Sequence, residues 1–530
     1  MKVPTLCGAD IELGNFVLHP DGLDGTAPIA SLAVLREMPD AVWAQPTQLR
    51  DQSSQWQAQD WGRRFLNSNG GCTYIDLDHL ELCLPEVRSA RDHVAAWHAM
   101  LRITRTALDA ANRLMPAHNV IQLLANNSDG KGHSYGSHLN FLISAQTFAN
   151  LFQRKMHHLL CLAAFQASSI VFTGQGKVGA ENGAPDTAFQ IAQRADFFAT
   201  LTGPQTTYDR PLVNSRDEPL CGSLGGESNG AGLRRLHCIF YDNTLNHVAT
   251  FLKVGSMQIF LAMLEAEQID IRLILDDPIE AVRTWSHDPG LRSKARLASG
   301  GELTAVELQL RILENARSFV AAGGCSGLVP DAEEIVDLWE ETLHQLADGE
   351  VAKLARRLDW VLKLSILHQA MMRRPDLTWS SPGIKQLDDL YSSLDATQGL
   401  YWLHERLGGV DRIVTEERIE HFVHQPPNDT RAWTRAMLLR AAPSGSIESI
   451  DWDALRFRVL DVDHWPQQWT VHLDNPLGFT EADIGDVFED SHDLNEILDR
   501  LTSPLDPLSA AERGKLTSPL PVRGKGGQGG

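Results

Sequence analysis

The chain is poor in basic residues. It has 47 Lys and Arg against 68 Asp and Glu, which gives a formal net charge of −21. Nucleic acids and anionic membranes are held largely by neutralising their phosphates, so this balance argues against either as the main partner. A positively charged local pocket is still compatible with the composition.

Paired cysteines and long apolar runs are also missing. The seven cysteines form no CxxC pair, which fits a reduced compartment and gives no sign of a zinc ribbon. The N-terminal residues contain no apolar stretch of signal-peptide length, and no window holds the roughly 18 apolar residues of a membrane helix. We therefore expect a soluble cytoplasmic protein without a membrane partner. Rossmann and Walker glycine patterns are absent as well.

Apolar residues make up 43% of the 530 positions, enough for a large core. Strand-like runs at 73–84, 120–125 and 236–241 alternate with helix-like segments at 92–114, 144–166 and 246–265. Further along, the apolar spacing is helical at 303–320, 331–347, 350–372 and 384–407. The pattern predicts an α+β fold with a substantial sheet.

Two changes in composition suggest domain boundaries. Pro426 and Pro427 separate a long first part from a smaller α+β unit, and the last residues are rich in Pro and Gly. Such low-complexity composition is typical of disorder. We expect a large domain over residues 1–425, a small C-terminal domain over 426–505 and a disordered tail over 506–530.

Residues 126–141 form the most informative segment. Amide, carboxylate, ammonium, hydroxyl and two imidazole groups surround three glycines there, between two apolar runs. Glycine lets the backbone approach a ligand, while Asn, Asp and Ser close turns through their own side chains. A simple turn needs far less, so we interpret this loop as the centre of a functional site.

Acidic residues recur within strand-like runs. Asp10 and Glu12 fall on one face of a strand, where two carboxylates repel each other unless a cation lies between them. An exposed edge strand explains them equally well. Asp76, Asp78 and Glu81 lie in an apolar, extended run although acids are poor strand formers, which is consistent with a polar cleft. A solvent-facing strand explains these three acids equally well.

Arginines complete the pattern. Arg216 and Arg235 offer planar forks for phosphate oxygens, and His237 can ligate a metal as neutral imidazole. Surface salt bridges account for Arg234 or Arg235 taken singly. Residues 173–177, a Gly-rich turn with a lysine, lack phosphate-loop spacing and favour a plain loop. Together, strand acids, a Gly/Asn/His loop and separate arginines predict a divalent-metal nucleotide site on a sheet.

At this point the chain resembles the Pup deamidase/depupylase and Pup ligase family, relatives of glutamine synthetase and the carboxylate-amine ligases. The likeness runs in order through most of the chain. Its motifs are Gly8-x-Asp10-x-Glu12-x-Gly14, Asn69-Gly-Gly-x-x-Tyr74-x-Asp76, His79-x-Glu81, Pro85-Glu-Val87, Asn126-Asn-x-Asp129-Gly-Lys-Gly-x-Ser-Tyr-Gly-x-His138-x-Asn140, Thr173-Gly-x-Gly-Lys177, Gln193-Arg-Ala-Asp196, Thr206-Thr207, Asn214-x-Arg216-Asp-Glu-Pro219, Arg234-Arg-Leu-His237 and Asp429-Thr-Arg-Ala432.

The resemblance implies a glutamine-synthetase-like large domain with a curved, mainly antiparallel sheet that holds ATP and Mg²⁺, followed by a small C-terminal domain. It also implies Pup, or a Pup-like small protein modifier, as the partner. Asp76 matches the catalytic aspartate of the family. The matching metal positions are Asp10, Glu12, Glu81, His138 and His237. The positions expected to contact the nucleotide are Asn126, Asp129, Ser134, Asn140, Arg216 and Arg235.

The branch within the family is harder to assign. The loop core Asp129-Gly-Lys-Gly132 looks like the deamidase/depupylase branch, which hydrolyses a terminal glutamine amide or an isopeptide. The short segment between Glu12 and Asp76 is closer to the ligase, which joins a phosphorylated C-terminal glutamate to lysine. We expect the hydrolase. A small-molecule carboxylate-amine ligase and an inactive nucleotide-binding homologue remain alternatives.

Four residues depart from the family pattern. Asp10 replaces the usual Glu, Leu80 and Leu82 replace Pro and Tyr beside Glu81, and Leu139 stands in place of a Glu next to the metal histidine. Each of these changes can be expected to shift the metal set or the substrate.

Overall fold

The computed structural model describes residues 3–18, 26–43, 62–218, 220–221, 232–460, 466–491 and 493–502. Its strands are β1 Cys7–Leu18, β2 Ala41–Trp43, β3 Arg64–Leu66, β4 Cys72–Asp76, β5 His79–Val87, β6 Val120–Leu124, β7 Ser137–Ser144, β8 Lys177–Val178, β9 Phe189–Gln190, β10 Phe198–Gly203, β11 Arg210–Asn214, β12 Leu233–Cys238, β13 Ala295–Arg296, β14 Glu302–Leu303, β15 Ile447–Ile450, β16 Ala454–Leu460 and β17 Pro466–His472.

The α-helices are α1 Ala27–Arg36, α2 Ala90–Leu114, α3 Ala145–Ala149, α4 Met156–Thr173, α5 His247–Glu265, α6 Pro278–Ser286, α7 Ala305–Ala321, α8 Ala332–Asp348, α9 Val351–Leu354, α10 Asp359–Arg373, α11 Pro382–Tyr391, α12 Leu400–Arg406, α13 Glu416–His424, α14 Ala432–Ala441, α15 Glu481–Asp490 and α16 Leu494–Thr502. A π-turn, Asn150–Arg154, separates α3 from α4.

The main sheet runs in the order β12-β7-β1-β5-β4-β3-β2, with β6 paired to the second half of β1. All of these pairings are antiparallel. The predicted α+β class with a mainly antiparallel sheet is therefore confirmed. Helices α2, α4 and α5 pack their apolar residues with the buried side of this sheet in one large hydrophobic core.

Several predicted elements are divided in the structure. The extended run at 73–87 is a hairpin, because Leu77 and Asp78 turn the chain with φ of 43° and 73°. The helical stretch 350–372 breaks into α9 and α10, and 384–407 breaks into α11 and α12. Apolar spacing continued across each turn, so periodicity alone did not reveal the breaks.

Among the described residues, two helices are long and apolar enough to cross a membrane by length and composition, although polar residues interrupt both. They are α4 and α5, and the tested windows are 83% and 100% buried inside the fold. A helix that is apolar on all sides and packed on all sides is a core helix. Both belong to the main hydrophobic core.

A second hydrophobic cluster joins the C-terminal part to the sheet. Side chains of β15 to β17 and of α14 to α16 pack there against Phe65, Cys72, Tyr74 and Cys83. The predicted boundary at residue 426 falls between α13 and α14, and it stays a prediction. The predicted disordered tail at 506–530 lies outside the described residues.

Candidate active site

A cavity of about 630 Å³ opens over one face of the main sheet. Strands β1, β4, β5, β7 and β12 supply its floor, residues 132–136 and 206–210 supply walls, and residues of the C-terminal part close one end. Ten of the twelve site residues expected from the sequence line it. They are Asp10, Glu12, Asp76, Glu81, Ser134, His138, Asn140, Arg216, Arg235 and His237.

Strand register explains why these residues meet. On the central strand β1, Asp10 lies opposite His138 of β7, and Glu12 lies opposite Glu81 of β5. Side chains alternate between the two faces of a strand, so Asp10 and Glu12 face the cavity while Ile11 and its alternate neighbours enter the core. The interpretation of Asp10 and Glu12 as residues of an exposed edge strand is therefore wrong.

Asp10, His138 and His237 form the first cluster, and their ligand atoms lie within 4.8 Å of one another. His138 Nδ1 lies 2.9 Å from Asp10 Oδ2, and His237 Nδ1 lies 2.8 Å from Asn140 Oδ1. Burial alone would raise the pKa of Asp10, but His138, His237 and Arg235 hold it below its usual range. Burial, with the Arg235 charge, lowers the pKa of His237, so this imidazole is neutral.

Glu12, Asp76 and Glu81 form the second cluster, with the same mutual spacing of their ligand atoms. Burial, together with the charges of Asp10, Glu12 and Asp76, raises the pKa of Glu81 well above its ordinary value. Its Oε2 is buried and makes no hydrogen bond with any described residue. Such a crowded set of acids needs either a proton or a cation.

The chemistry of both clusters fits a divalent cation. Carboxylate oxygens, which the second cluster supplies exclusively, are the ligands that Mg²⁺ prefers. The unpartnered Glu81 Oε2 is a buried acceptor with room for such an ion. Neutral His237 in the first cluster is also a competent ligand. The five predicted metal ligands thus divide between two adjacent clusters, and Asp76 joins the second.

Two of the arginines, Arg216 and Arg235, border the cavity. Arg235 donates from Nη1 to Asn140 Oδ1 at 3.0 Å and from Nη2 to Glu218 Oε2 at 3.1 Å. Arg216 also borders the cavity and is about half exposed. Arg234 instead pairs with Asp217 at 3.3 Å, as its salt-bridge interpretation predicted. Arg235 therefore lies directly beside the first cluster, because Asn140 also donates to Asp10 and Arg235 Nη1 lies 3.5 Å from His237 Nδ1.

The glycine-rich loop reaches the cavity only with its second half, from Gly132 to Asn140. Asn126 is buried behind it, where its side chain bonds Tyr135 and the Ser128 carbonyl. Asp129 accepts bonds from the backbone of Lys131 at 2.7 Å and from His133. Neither Asn126 nor Asp129 lines the cavity, so their position suits shaping of the loop.

Lys177, the lysine of the Gly-rich turn at 173–177, also helps to hold this loop in place through Glu181. Lys177 is buried and pairs with Glu181 at 2.5 Å, and Glu181 accepts a bond from the Gly132 amide at 2.9 Å. The Lys177 ammonium is thus engaged by a carboxylate that also bonds the glycine-rich loop.

Three of the four departures from the family pattern lie away from the cavity. Leu80, Leu82 and Leu139 are each fully buried in the main core on the opposite face of the sheet. Their effect on the metal set is therefore indirect at most. Asp10 is the one departure among the four that faces the cavity.

Sequence reasoning gave no site role to several residues that border the cavity, although Thr206 and Arg431 stand in the motifs quoted above. Arg210 donates to the Ser134 carbonyl at 2.5 Å, and Arg431, Trp452 and Thr206 border the same space. A further missed feature is Glu86, which pairs with Arg431 at 2.8 Å and also with Arg435. Glu86 and Arg431 stand within recognised motifs, but 345 residues separate them, so only the fold reveals the contact.

An antiparallel sheet that gathers carboxylates, imidazoles and guanidinium groups in one cavity defines this protein as an α+β enzyme with a charged, sheet-lined site. A model of the Pup-ligase protein family matches residues 33–456, and the chain belongs to this family.

The similar proteins include a depupylase and a Pup--protein ligase. The chain is 36% identical over 461 residues to a depupylase of Acidothermus cellulolyticus, covering 87% of this chain and 86% of that protein. It is 34% identical over 405 residues to a Pup--protein ligase of Acidimicrobium ferrooxidans, covering 75% and 84%. The fold matches the crystal structure of Pup with its ligase PafA, with a TM-score of 0.74, 21% identity and coverage of 96% and 93%.

Proposed function

We propose that this protein is an ATP- and Mg²⁺-dependent hydrolase that acts on the C-terminal glutamine amide of Pup, or a Pup-like modifier, and on its isopeptide conjugates. The observation that carries the proposal is the position of Asp76. It ends β4 at the turn of the β4–β5 hairpin and joins Glu12 and Glu81 on the cavity floor. A carboxylate there can attack an amide carbonyl or activate a water for the attack.

The nucleotide and metal have a suitable set of partners. Glu12 and Glu81 would hold Mg²⁺ through carboxylate oxygens, and Asp10, His138 and His237 would hold a neighbouring divalent cation. Such cations would neutralise charge on phosphate oxygens. Arg216 and Arg235 would contact the phosphates, and Ser134 and Asn140 lie beside them in the cavity. Asn126 and Asp129 would act by holding the loop in shape.

The overall reaction exchanges one bond to the glutamyl carbonyl for another. The C–N bond of the amide or isopeptide breaks, the oxygen of water bonds to the carbonyl carbon, and the nitrogen leaves as ammonia or as the lysine amine. If Asp76 attacks first, a transient anhydride forms and water then cleaves it. Either route needs Asp76 ionised and close to the substrate carbonyl.

The test uses purified protein, ATP, Mg²⁺ and a peptide that ends in Gly-Gly-Gln. Wild type should release ammonia, and Asp76→Asn should lower that rate by at least about 1000-fold because an amide is neither a base nor a competent nucleophile. Asp78→Asn is the matched control, since Asp78 is exposed at the same turn and Asn tolerates its positive φ. Equal rates for wild type and Asp76→Asn would contradict the assignment.

The ligase is the second candidate, favoured by the ligase relative at 34% identity. It predicts that ADP appears only when a peptide ending in Gly-Gly-Glu and a lysine acceptor are both supplied. Turnover of that kind, with no ammonia from the Gly-Gly-Gln peptide, would replace the hydrolase with the ligase. Bound nucleotide without either product would exclude both.

A further inference from the structure

A second group of metal-ligating side chains lies in the helical part of the molecule, apart from the cavity. His98 belongs to α2, His247 begins α5 and Glu405 belongs to α12. Their ligand atoms all lie within 4.8 Å of one another. None of the three lines the cavity over the sheet.

The two imidazoles are buried with too few partners. His98 is 2% exposed and His247 is 0% exposed. His98 Nε2 and both ring nitrogens of His247 make no hydrogen bond with any described residue. Buried polar atoms are nearly always satisfied. His98 Nε2 and one of the two His247 nitrogens can face the same point beside Glu405, which indicates that something else occupies it. Burial also disfavours charged imidazolium, and the neutral ring is the form that binds metals.

Second contacts orient these groups as ligands. The other side of the His98 ring is hydrogen-bonded to the Leu245 backbone, which directs Nε2 toward the cluster. Metal-bound histidines typically make such a bond through their second nitrogen. On the other side, Arg412 Nη2 lies 3.4 Å from Glu405 Oε1 and holds the carboxylate in place.

The spacing suits one particular kind of ion. His247 Nε2 lies 3.7 Å from Glu405 Oε1, beyond hydrogen-bond range. Ligand atoms around a tetrahedral zinc lie roughly 3.3 Å apart, given bonds of about 2.0–2.1 Å. Two nitrogens and one oxygen favour zinc or a similar transition metal, whereas Mg²⁺ prefers oxygen alone.

We propose that His98, His247 and Glu405 bind a zinc ion that ties together α2, α5 and α12. A fourth position is left for water. The ring of Tyr401 lies 6.5 Å from that of His98, and its hydroxyl is also buried without a hydrogen bond to any described residue. The ion stabilises the helical part and takes no part in the chemistry of the cavity.

The test counts zinc bound by the full-length protein after chelator treatment and dialysis. Because His237 belongs to a cluster that can also take zinc, all measurements use the His237→Gln background with Mg²⁺ in excess. That protein should bind one zinc per chain, and adding His247→Gln should weaken this binding by more than about 100-fold. His404→Gln, which changes the histidine beside Glu405, is the matched control and should retain the zinc.

A melting-temperature measurement provides the second readout. Zinc should raise the melting temperature of the His237→Gln protein and of the His237→Gln/His404→Gln double variant. It should not raise that of the His237→Gln/Glu405→Gln double variant. Glu405 is partly exposed, so this variant decides the matter where His247→Gln does not fold. Equal zinc binding and equal thermal shifts with and without Glu405→Gln would overturn the proposal.

Discussion

At the residue scale, Leu139 shows how alternation along a strand separates core from site. It stands between His138 and Asn140, which face the cavity, yet it is fully buried in the main core on the other side of β7. The resemblance to the family led us to expect an effect on the metal. The geometry instead gives Leu139 a packing role.

Restoring the family residue at this position should therefore destabilise the protein. Leu139→Glu places a carboxylate among apolar side chains, and we expect the free energy of unfolding to fall by roughly 3–5 kcal/mol. Urea unfolding measures this change. Leu139→Met, which keeps the volume and polarity, should cost less than about 1.5 kcal/mol. Unchanged stability of Leu139→Glu would mean that the side chain has a polar environment.

At the scale of elements, the loop at 126–141 depends on Asp129. Its carboxylate accepts three hydrogen bonds from within the loop, and the loop carries Ser134 and His138 into the cavity. Asp129→Ala removes these bonds. The value of kcat/KM should then fall about tenfold, because Ser134 and His138 are no longer held in position. Asp129→Asn keeps an acceptor oxygen and should remain near wild type in steady-state kinetics. A loss as large in Asp129→Asn would point to direct contact with a ligand.

The contact between β5 and α14 should make stability depend on pH. Burial would raise the pKa of Glu86, but the guanidinium charges of Arg435 and Arg431 lower it from 4.5 to about 2. A carboxyl with a depressed folded-state pKa contributes stability above its unfolded pKa, and the contribution is lost as the pH falls from about 4.5 toward 2. It amounts to something on the order of 3 kcal/mol.

Comparison with Glu86→Gln isolates this contribution. The difference in unfolding free energy between wild type and Glu86→Gln should be largest at neutral pH and should shrink as the pH falls below about 4.5. Urea unfolding at a series of pH values measures it, and other titrating groups cancel in the difference. A difference that stays constant with pH would show that Glu86 is not held ionised by the arginines.

At the scale of the whole molecule, the C-terminal part meets the sheet at a close backbone contact. Gly70 has φ of 76°, and a Cβ there would lie 2.6 Å from the Ala432 carbonyl oxygen. Gly445 has φ of 81° with open space around it. Backbone strain at this positive φ should thus lower the free energy of unfolding of Gly445→Ala by only about 1–2 kcal/mol. Gly70→Ala should lose more stability than Gly445→Ala. Thermal unfolding measures the loss, and faster proteolysis of the C-terminal part should accompany it. Equal losses of stability in the two variants would contradict the close contact between Gly70 and the Ala432 carbonyl oxygen.

The class of fold was predicted correctly because its signals were local, and ten of the twelve expected site residues line one cavity. Alternation placed Asp10 and Glu12 on one face, and the composition of residues 126–141 marked that loop, while His138 and Asn140 within it came from the resemblance to the family. The sequence could not predict that Glu86 meets Arg431, since 345 residues separate them along the chain. The breaks near residues 77 and 355 were also missed, because apolar spacing continued across both turns.

The assembly of the sheet from distant segments has a consequence for how the protein is made. Asn243 bonds the backbone of Glu12 across 231 residues, and Asn140 bonds Asp10 across 130. Contacts of such long sequence separation form slowly, because the connecting chain must first be ordered. A ribosome-bound fragment that ends before β12 therefore lacks a complete binding surface. Ligands added during refolding should stabilise only the finished sheet, and so increase the yield without hastening its first steps.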